Sequence, residues 1–188
     1  MSTVKTIARL ALGGAVVGST VVGSVTRWQD RRDTFAAAQQ RARFTGRRLV
    51  VVGDPHAGMQ TRVLPAYGCG DVCVDLDACP QCPTSESVNL DTGRASVTDN
   101  SAVVFVSCVL EYVSDPQTAM REIDRMAGSP ENVFLVTVQP WTLVAALYPG
   151  ARHTIARQSD GSIVATPVTL TRKVATVGVL AGLAWAAW

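Results

Sequence analysis

The sequence lacks a strong excess of charge of either sign. Its 17 basic and 15 acidic side chains leave a formal net charge of +2, and the arginines gather near one end. Proteins that bind nucleic acids usually carry a basic face or stripe, so we expect no nucleic-acid partner. Cysteine is scarce as well, with five residues in the whole chain. This number is too small for a secreted disulfide scaffold, and we expect reduced thiols in a reducing compartment.

Charged residues are missing from an apolar stretch near the amino terminus. Residues 10–25 carry no charge, and no acidic residue precedes Asp30. Extended back to Ile7, the stretch approaches the length that crosses a hydrocarbon core of about 30 Å, so it predicts a membrane anchor. A cleaved targeting peptide and a soluble or disordered tail are the alternatives. Gly14 and Gly18 have a spacing that could pair such helices in an oligomer.

A second apolar stretch closes the sequence. Residues 174–188 are too short to span a membrane comfortably, but Trp185 and Trp188 suit its interface. A final helix packed on the domain is the alternative. Basic residues cluster on the domain side of both stretches, and the positive-inside rule then predicts a membrane-associated protein whose domain faces the cytosol. The predicted organisation is a hydrophobic segment with a basic linker (residues 1–45), a domain (residues 46–170) and a hydrophobic tail (residues 171–188).

Strand and helix signals alternate between these ends. Asp115 and Pro116 predict the start of a helix that Gly128 ends. The alternation predicts an α/β fold with a mostly parallel sheet covered by helices, followed by a terminal β-hairpin at the end of the sheet and flanked by apolar terminal helices. The predicted elements are buried strands at residues 49–52, 71–77, 102–109 and 133–138, a short helix and turn at residues 58–68, and the hairpin at residues 154–170.

One stretch carries a family resemblance. Residues 98–126, TDNSAVVFVSCVLEYVSDPQTAMREIDRM, contain Asp99 before a strand, the exit Leu-Glu-Tyr-Val, and an Asp-Pro that caps the next helix. This order resembles the fourth strand and its surroundings in class I S-adenosylmethionine-dependent methyltransferases of type 11, with Tyr112 in place of the usual histidine. The resemblance covers residues 47–138 and implies a Rossmann-like sheet, an S-adenosylmethionine cofactor and a methyl-transfer function.

The same resemblance implies a set of cofactor-binding residues. Asp75 ends the second strand, where the family's acid holds the cofactor ribose, and Asp91 falls where the family carries an acid beside the adenine. The family's glycine-rich turn is degenerate here: only Gly53 and Gly58 remain, and Asp54 would replace the missing strand acid. The alternative for each acid alone is a solvated side chain at a strand end. His56, in the same turn, is expected to be a surface residue.

Four of the five cysteines crowd into residues 69–82. Thiolates this close could hold zinc in a tetrahedral site, so the candidate metal ligands are Cys69, Cys73, Cys79 and Cys82. Cys79 and Cys82 also form a C-x-x-C pair, although Pro83 argues against the helix that activates such thiols. Plain thiols with no metal are the third interpretation.

Two functions follow from these patterns. The first is a membrane-associated methyltransferase acting on an unknown small-molecule or lipid acceptor, with Trp141 and Tyr148 as candidate walls of the acceptor pocket. The second is a catalytically inactive module of the same fold that serves as a membrane-tethered structural or interaction protein.

Overall fold

The computed structural model describes residues 25–57, 65–138, 150–158 and 162–169. Several predicted features lie outside these residues: the second apolar stretch, Gly58, Trp141 and Tyr148. All but the last residue of the predicted anchor, and most of the short helix predicted at residues 58–68, also lie outside them. None of the helices within the described ranges is long and apolar enough to cross a membrane.

A five-stranded parallel sheet forms the centre of the domain. Its strands are β1 (Arg48–Val52), β2 (Val72–Asp75), β3 (Ser85–Ser87), β4 (Ala102–Ser107) and β5 (Val133–Val136). They lie in the order β3-β2-β1-β4-β5. All six residues of β4 are buried, as are four of the five in β1, because a strand covered on both faces must be apolar along its whole length. The α/β fold and the parallel sheet are thereby confirmed.

Helices cover both faces of this sheet. Helix α1 occupies the described residues 25–45, and its Phe35 packs in one buried cluster with Val51. Helix α2 (Pro116–Ala127) contributes Ile123 to a second cluster, which contains Val50. Successive side chains of a strand point to opposite faces, so the two helices lie on opposite sides of β1. Helix α1 was not predicted from the sequence, and it falls in the supposed basic linker.

The ends of α2 follow the sequence prediction. Asp115 is the N-cap, and its side chain accepts hydrogen bonds from the backbone N–H groups of Gln117 and Thr118. Pro116 is the first helical residue, where a missing N–H has no cost. Gly128 ends the helix in the left-handed conformation with a φ of 73°, which glycine adopts without strain.

The terminal hairpin exists, but its predicted position is wrong. Strands β6 (His153–Arg157) and β7 (Ile163–Pro167) pair with each other in a separate antiparallel sheet instead of extending the main one. The reason is burial: Ile155 and Ile163 pack into the core cluster that holds Ile123. The hairpin therefore lies over the α2 side of the domain, because its apolar face has to be covered there.

Candidate functional site

A pocket of about 730 Å³ opens beyond the carboxyl ends of the central strands, lined by residues that include Val52, Asp75 and Ser107. Chain order reverses between β1 and β4, since β2 lies on one side of β1 and β4 on the other. Ligands of open α/β sheets bind at such a reversal. The volume lies within the range of small-molecule sites, roughly 300 to 1,000 Å³.

The turn after β1 approaches the end of β4 closely. Gly53 has a φ of +104°, and a Cβ atom there would lie 2.9 Å from the carbonyl oxygen of Ser107 and 2.9 Å from Cγ2 of Val109. Its N–H donates to the carbonyl oxygen of Val74 at 2.9 Å. Only glycine fits both this backbone conformation and this approach. Gly53 therefore brings the carboxyl ends of β1, β2 and β4 together under the pocket.

Asp75 links the end of β2 to the same turn. Its Oδ2 accepts a hydrogen bond from the backbone N–H of Asp54 at 2.7 Å, and its Oδ1 accepts one from the N–H of Leu76 at 2.6 Å. Asp54 in turn accepts from the N–H of His56 at 2.9 Å. A carboxylate oxygen can accept more than one hydrogen bond, so Asp75 retains lone pairs for a ligand's hydroxyl groups.

Asp91 joins the pocket to the start of α2. Its two carboxylate oxygens accept hydrogen bonds from the backbone N–H groups of Ser114 at 2.8 Å and Asp115 at 2.9 Å. Desolvation opposes ionisation, but the backbone hydrogen bonds from Asp115 and Ser114 outweigh it and lower the pKa of Asp91. Asp91 is thus an ionised pocket residue that also fixes the loop before α2.

Three arginines supply positive charge to the lining. Arg27 and Arg31 come from α1, and Arg152 precedes β6. The Nη2 atom of Arg31 donates to the Sγ atom of Cys108 at 3.2 Å, and Arg152 donates to the hydroxyl of Ser114. The pocket therefore offers cationic groups as well as the carboxylates at the ends of β1, β2 and β3.

Glu111, from the Leu-Glu-Tyr-Val motif, is buried beside this pocket with 2% of its surface exposed. Its carbonyl oxygen accepts from the N–H groups of Arg152 at 2.7 Å and His153 at 3.1 Å, and its Oε1 accepts from the N–H of Val138 at 2.5 Å. Desolvation raises the pKa of Glu111. Glu111 therefore joins the β4 exit, the segment after β5 and the hairpin. The sequence matched Glu111 to a motif but did not predict this role.

The free thiol of Cys108 follows β4 directly. Cys108 has a φ of 52°, and its N–H donates to the carbonyl oxygen of Val136 at 2.8 Å. Burial raises the pKa of this thiol, and the nearby Arg31 opposes that shift. The thiol is consequently protonated near neutral pH, which leaves it a weak nucleophile.

The remaining four cysteines correct the expectation of reduced thiols. They form two disulfides, Cys69–Cys82 and Cys73–Cys79, with Cα–Cα distances of 5.5 Å and 6.2 Å. The chain after β2 turns back at residues 76–82, which brings each partner to bonding distance. The C-x-x-C cysteines are therefore not bonded to each other, and no thiolate cluster is present in this state of the described residues.

Two groups of side chains near these sulfurs could still hold a metal ion once thiols are released. One ring nitrogen of His56 lies within 4.8 Å of the Sγ atoms of Cys69 and Cys82, and the Sγ atoms of Cys73, Cys79 and Cys82 all lie within 4.8 Å of one another. His56 was expected to be a surface residue, but it is half-buried beside the Cys69–Cys82 disulfide.

The sequence-predicted cofactor residues that the structure describes come together in one place. Gly53, Asp54, Asp75 and Asp91 all line the same pocket, and Gly58 lies outside the described residues. No protein-family model matches the chain, and comparisons with curated proteins and with solved structures find no significant match. Any function assigned to the pocket therefore has to follow from the chain's own residues.

Proposed function

We propose that this protein is an S-adenosylmethionine-dependent methyltransferase. The observation that carries the proposal is that Gly53, Asp54, Asp75 and Asp91 line one pocket beyond the carboxyl ends of a parallel sheet. The strand order β3-β2-β1-β4-β5 is also the order of the first five strands in doubly wound nucleotide-binding sheets. A Rossmann-like sheet is therefore part of the same proposal.

The cofactor would use the pocket's acidic side chains. Asp75 would accept hydrogen bonds from the ribose hydroxyls, because a carboxylate offers only acceptors. Asp91 would lie on the adenine side, and Asp54 would face the ammonium group of the methionine part. Gly53 lets the turn that carries Asp54 pack closely against Ser107 and Val109 at the end of β4, because it has no Cβ atom.

The cofactor supplies an electrophilic methyl group on a sulfonium. The chain's own residues hold the acceptor in line with the methyl–sulfur bond and exclude water, which lowers most of the barrier. Arg27, Arg31 and Arg152 favour an anionic acceptor, either a small molecule or a lipid headgroup. A carboxylate acceptor has no proton to lose, so its methylation needs no general base. This suits a pocket whose described lining includes no histidine.

Membrane association is proposed together with this activity. It rests on the apolar residues 10–25 and 174–188 and on the basic residues that follow the first stretch and precede the second, which favour a cytosolic domain. The spacing of Gly14 and Gly18 would allow such helices to pair in an oligomer. The two disulfides weigh against the cytosolic side, because such bonds persist mainly in oxidising compartments. Carbonate extraction and protease protection of tagged chains would decide between the two sides.

A second candidate is a catalytically inactive module of this fold, with a structural or interaction role. It is favoured by the hydrogen bonds that Asp75 and Asp91 already accept from backbone N–H groups of the domain. These bonds give both acids a structural role that needs no cofactor. Such a module could carry zinc on Cys69, Cys73, Cys79 and Cys82, which requires that both disulfides be reduced.

Calorimetric titration with S-adenosylhomocysteine, the cofactor product, tests the proposal. A methyltransferase should bind it with a dissociation constant in the micromolar range, about −8 kcal/mol of binding free energy. Absence of binding at millimolar ligand would reject cofactor use and leave the inactive module.

A further inference from the structure

The two disulfides differ in how easily a reductant can reach them. Cys73 and Cys79 are both fully buried, with 0% of their surface exposed. Cys69 is half-buried, and its partner Cys82 keeps 8% exposure. Reduction begins when a nucleophile reaches one of the two sulfurs, so access controls its rate. The Cys69–Cys82 bond is therefore the first to open.

His56 lies against the disulfide that opens first. Its ring nitrogen and the two sulfurs of Cys69 and Cys82 lie within 4.8 Å of one another. Zinc bound at about 2.3 Å to sulfur and about 2.0 Å to nitrogen brings tetrahedral ligand atoms to roughly 3.5 to 3.8 Å apart. The three side chains thus need only a small adjustment to surround one ion.

The backbone around His56 also supports a fixed ligand. Its backbone N–H donates to the Oδ1 atom of Asp54 at 2.9 Å, and the backbone N–H of Asp54 donates to the Oδ2 atom of Asp75 at 2.7 Å. Pro55 is buried beside it. A histidine carried on a loop held in this way loses little conformational entropy when it binds a metal.

We propose that reduction of the Cys69–Cys82 disulfide creates a zinc site formed by His56, Cys69 and Cys82, while the Cys73–Cys79 disulfide stays closed. This site differs from a four-thiolate site in its histidine and in needing only one disulfide to open. Three protein ligands leave the fourth tetrahedral position to water or another small ligand.

The reaction balances with a dithiol or a phosphine as the reductant. Two electrons from the reductant break the S–S bond and each sulfur takes up a proton, while the dithiol becomes a disulfide or the phosphine becomes its oxide with oxygen from water. Zinc binding then releases both thiol protons to solvent, because the thiolate is the metal ligand. The zinc replaces the covalent link between the segments before β2 and before β3, so these two segments stay joined in both states.

The test uses the full-length protein and a phosphine, which reduces disulfides without adding a competing thiol. Reduction should be stopped when mass spectrometry after alkylation counts two new thiols beyond Cys108, and zinc is then added and the excess removed. The expected result is about one zinc per chain by elemental analysis, with Cys69 and Cys82 protected from alkylation and the Cys73–Cys79 peptide still disulfide-bonded. Cobalt in place of zinc should give the absorption of a tetrahedral thiolate site.

Two variants sharpen the result. His56→Ala should weaken zinc binding by at least about tenfold, since even groups that only orient a ligand contribute about 10- to 100-fold. The double variant Cys73→Ser with Cys79→Ser removes the buried disulfide but keeps all three proposed ligands, and it should still bind one zinc.

Retention of no zinc by the partly reduced wild type would overturn the proposal, as would zinc binding that is unchanged in His56→Ala. Loss of zinc from a folded double variant would point to the four-thiolate site instead. If the double variant does not fold, the alkylation map of the wild type still decides, because zinc that protects Cys73 and Cys79 contradicts the proposal.

Discussion

The sheet is held together differently on the two sides of β1. On one side β4 is completely buried, and Phe105 in its middle contacts the rings of Phe35 and Tyr67. On the other side β3 has three residues, all exposed or half-buried, and two disulfides join the segments around β2. Where a side has too little apolar surface to bury, covalent bonds supply the restraint.

The largest expected effect comes from the apolar side. Phe105→Ala should lower the free energy of unfolding by about 3 to 5 kcal/mol, because it leaves a cavity between α1 and the sheet. Phe105 has 0% exposure, and its ring centroid lies 5.2 Å from that of Phe35. Urea denaturation measures the change. Phe44→Ala is the matched control, since Phe44 is 84% exposed, and equal losses in the two variants would contradict the account.

Reduction of both disulfides should lower the free energy of local opening on the other side by roughly 2 to 4 kcal/mol, because an opened segment gains conformational entropy once the bonds no longer close its loops. Hydrogen exchange should localise the loss: the amides of Val74 and Val88, the latter bonded to the carbonyl oxygen of Asp75, should exchange faster than in the oxidised protein. The amide of Val104, which lies in β4 on the other side of β1, serves as the internal control. Faster exchange at Val104 by the same factor would mean that the two sides do not differ.

The apolar side was more predictable from the sequence than the covalent one. Runs of valine marked β1 and β4, because strands buried on both faces leave a continuous apolar signal. Phe35, Ala38 and Ala42 also recur at helical spacing, but the arginines and glutamines around them are equally typical of a polar linker. The number of cysteines in the whole chain does not predict the disulfides, because their pairing depends on the turn at residues 76–82.

Some residues of the candidate site were likewise more predictable from the sequence than others. Asp75 and Asp91 could be found because acids after consecutive parallel strands reach the same edge of a sheet. His56 could not be paired with Cys69 and Cys82 from spacing alone, since their proximity depends on how separate loops pack. Glu111 had a local signal, an acid among buried apolar residues, but its backbone partners Arg152 and His153 lie far along the chain.

Glu111 gives a pH-dependent test of the apolar side. Desolvation raises its pKa above the ordinary value of 4.5, so the folded state favours the protonated form. Its contribution to stability is therefore full below about pH 4.5 and is lost as the pH rises through the higher folded pKa. We expect Glu111→Gln to gain stability relative to the wild type as the pH is raised from 4 to 8, measured by denaturation at each pH.

The control for this series is Phe44→Ala, because Phe44 is 84% exposed and its side chain does not ionise. The difference between this variant and the wild type should stay nearly constant over the same range. A difference for Glu111→Gln that is equally flat would show that its burial has no effect on its titration in the folded state.

The smallest effect is expected where a charge pair lies at the surface. Arg41 and Glu131 approach to 3.1 Å, but both side chains keep substantial exposure. Glu131→Ala should change the free energy of unfolding by no more than about 1 kcal/mol, since solvent and salt screen such pairs. A denaturation midpoint that moves as far as that of Phe105→Ala would contradict this order of effects.

The pocket between the two sides is proposed to bind the methyl-transfer cofactor, and substitution of Asp75 tests this proposal most directly. Titration of S-adenosylhomocysteine into Asp75→Asn should give a binding free energy weaker than that of the wild type by about 1 to 3 kcal/mol, because a charge-assisted hydrogen bond is lost. Asp33→Asn, an exposed acid on α1, should bind as the wild type does. Equal affinity of all three proteins, or no binding by the wild type, would contradict the account.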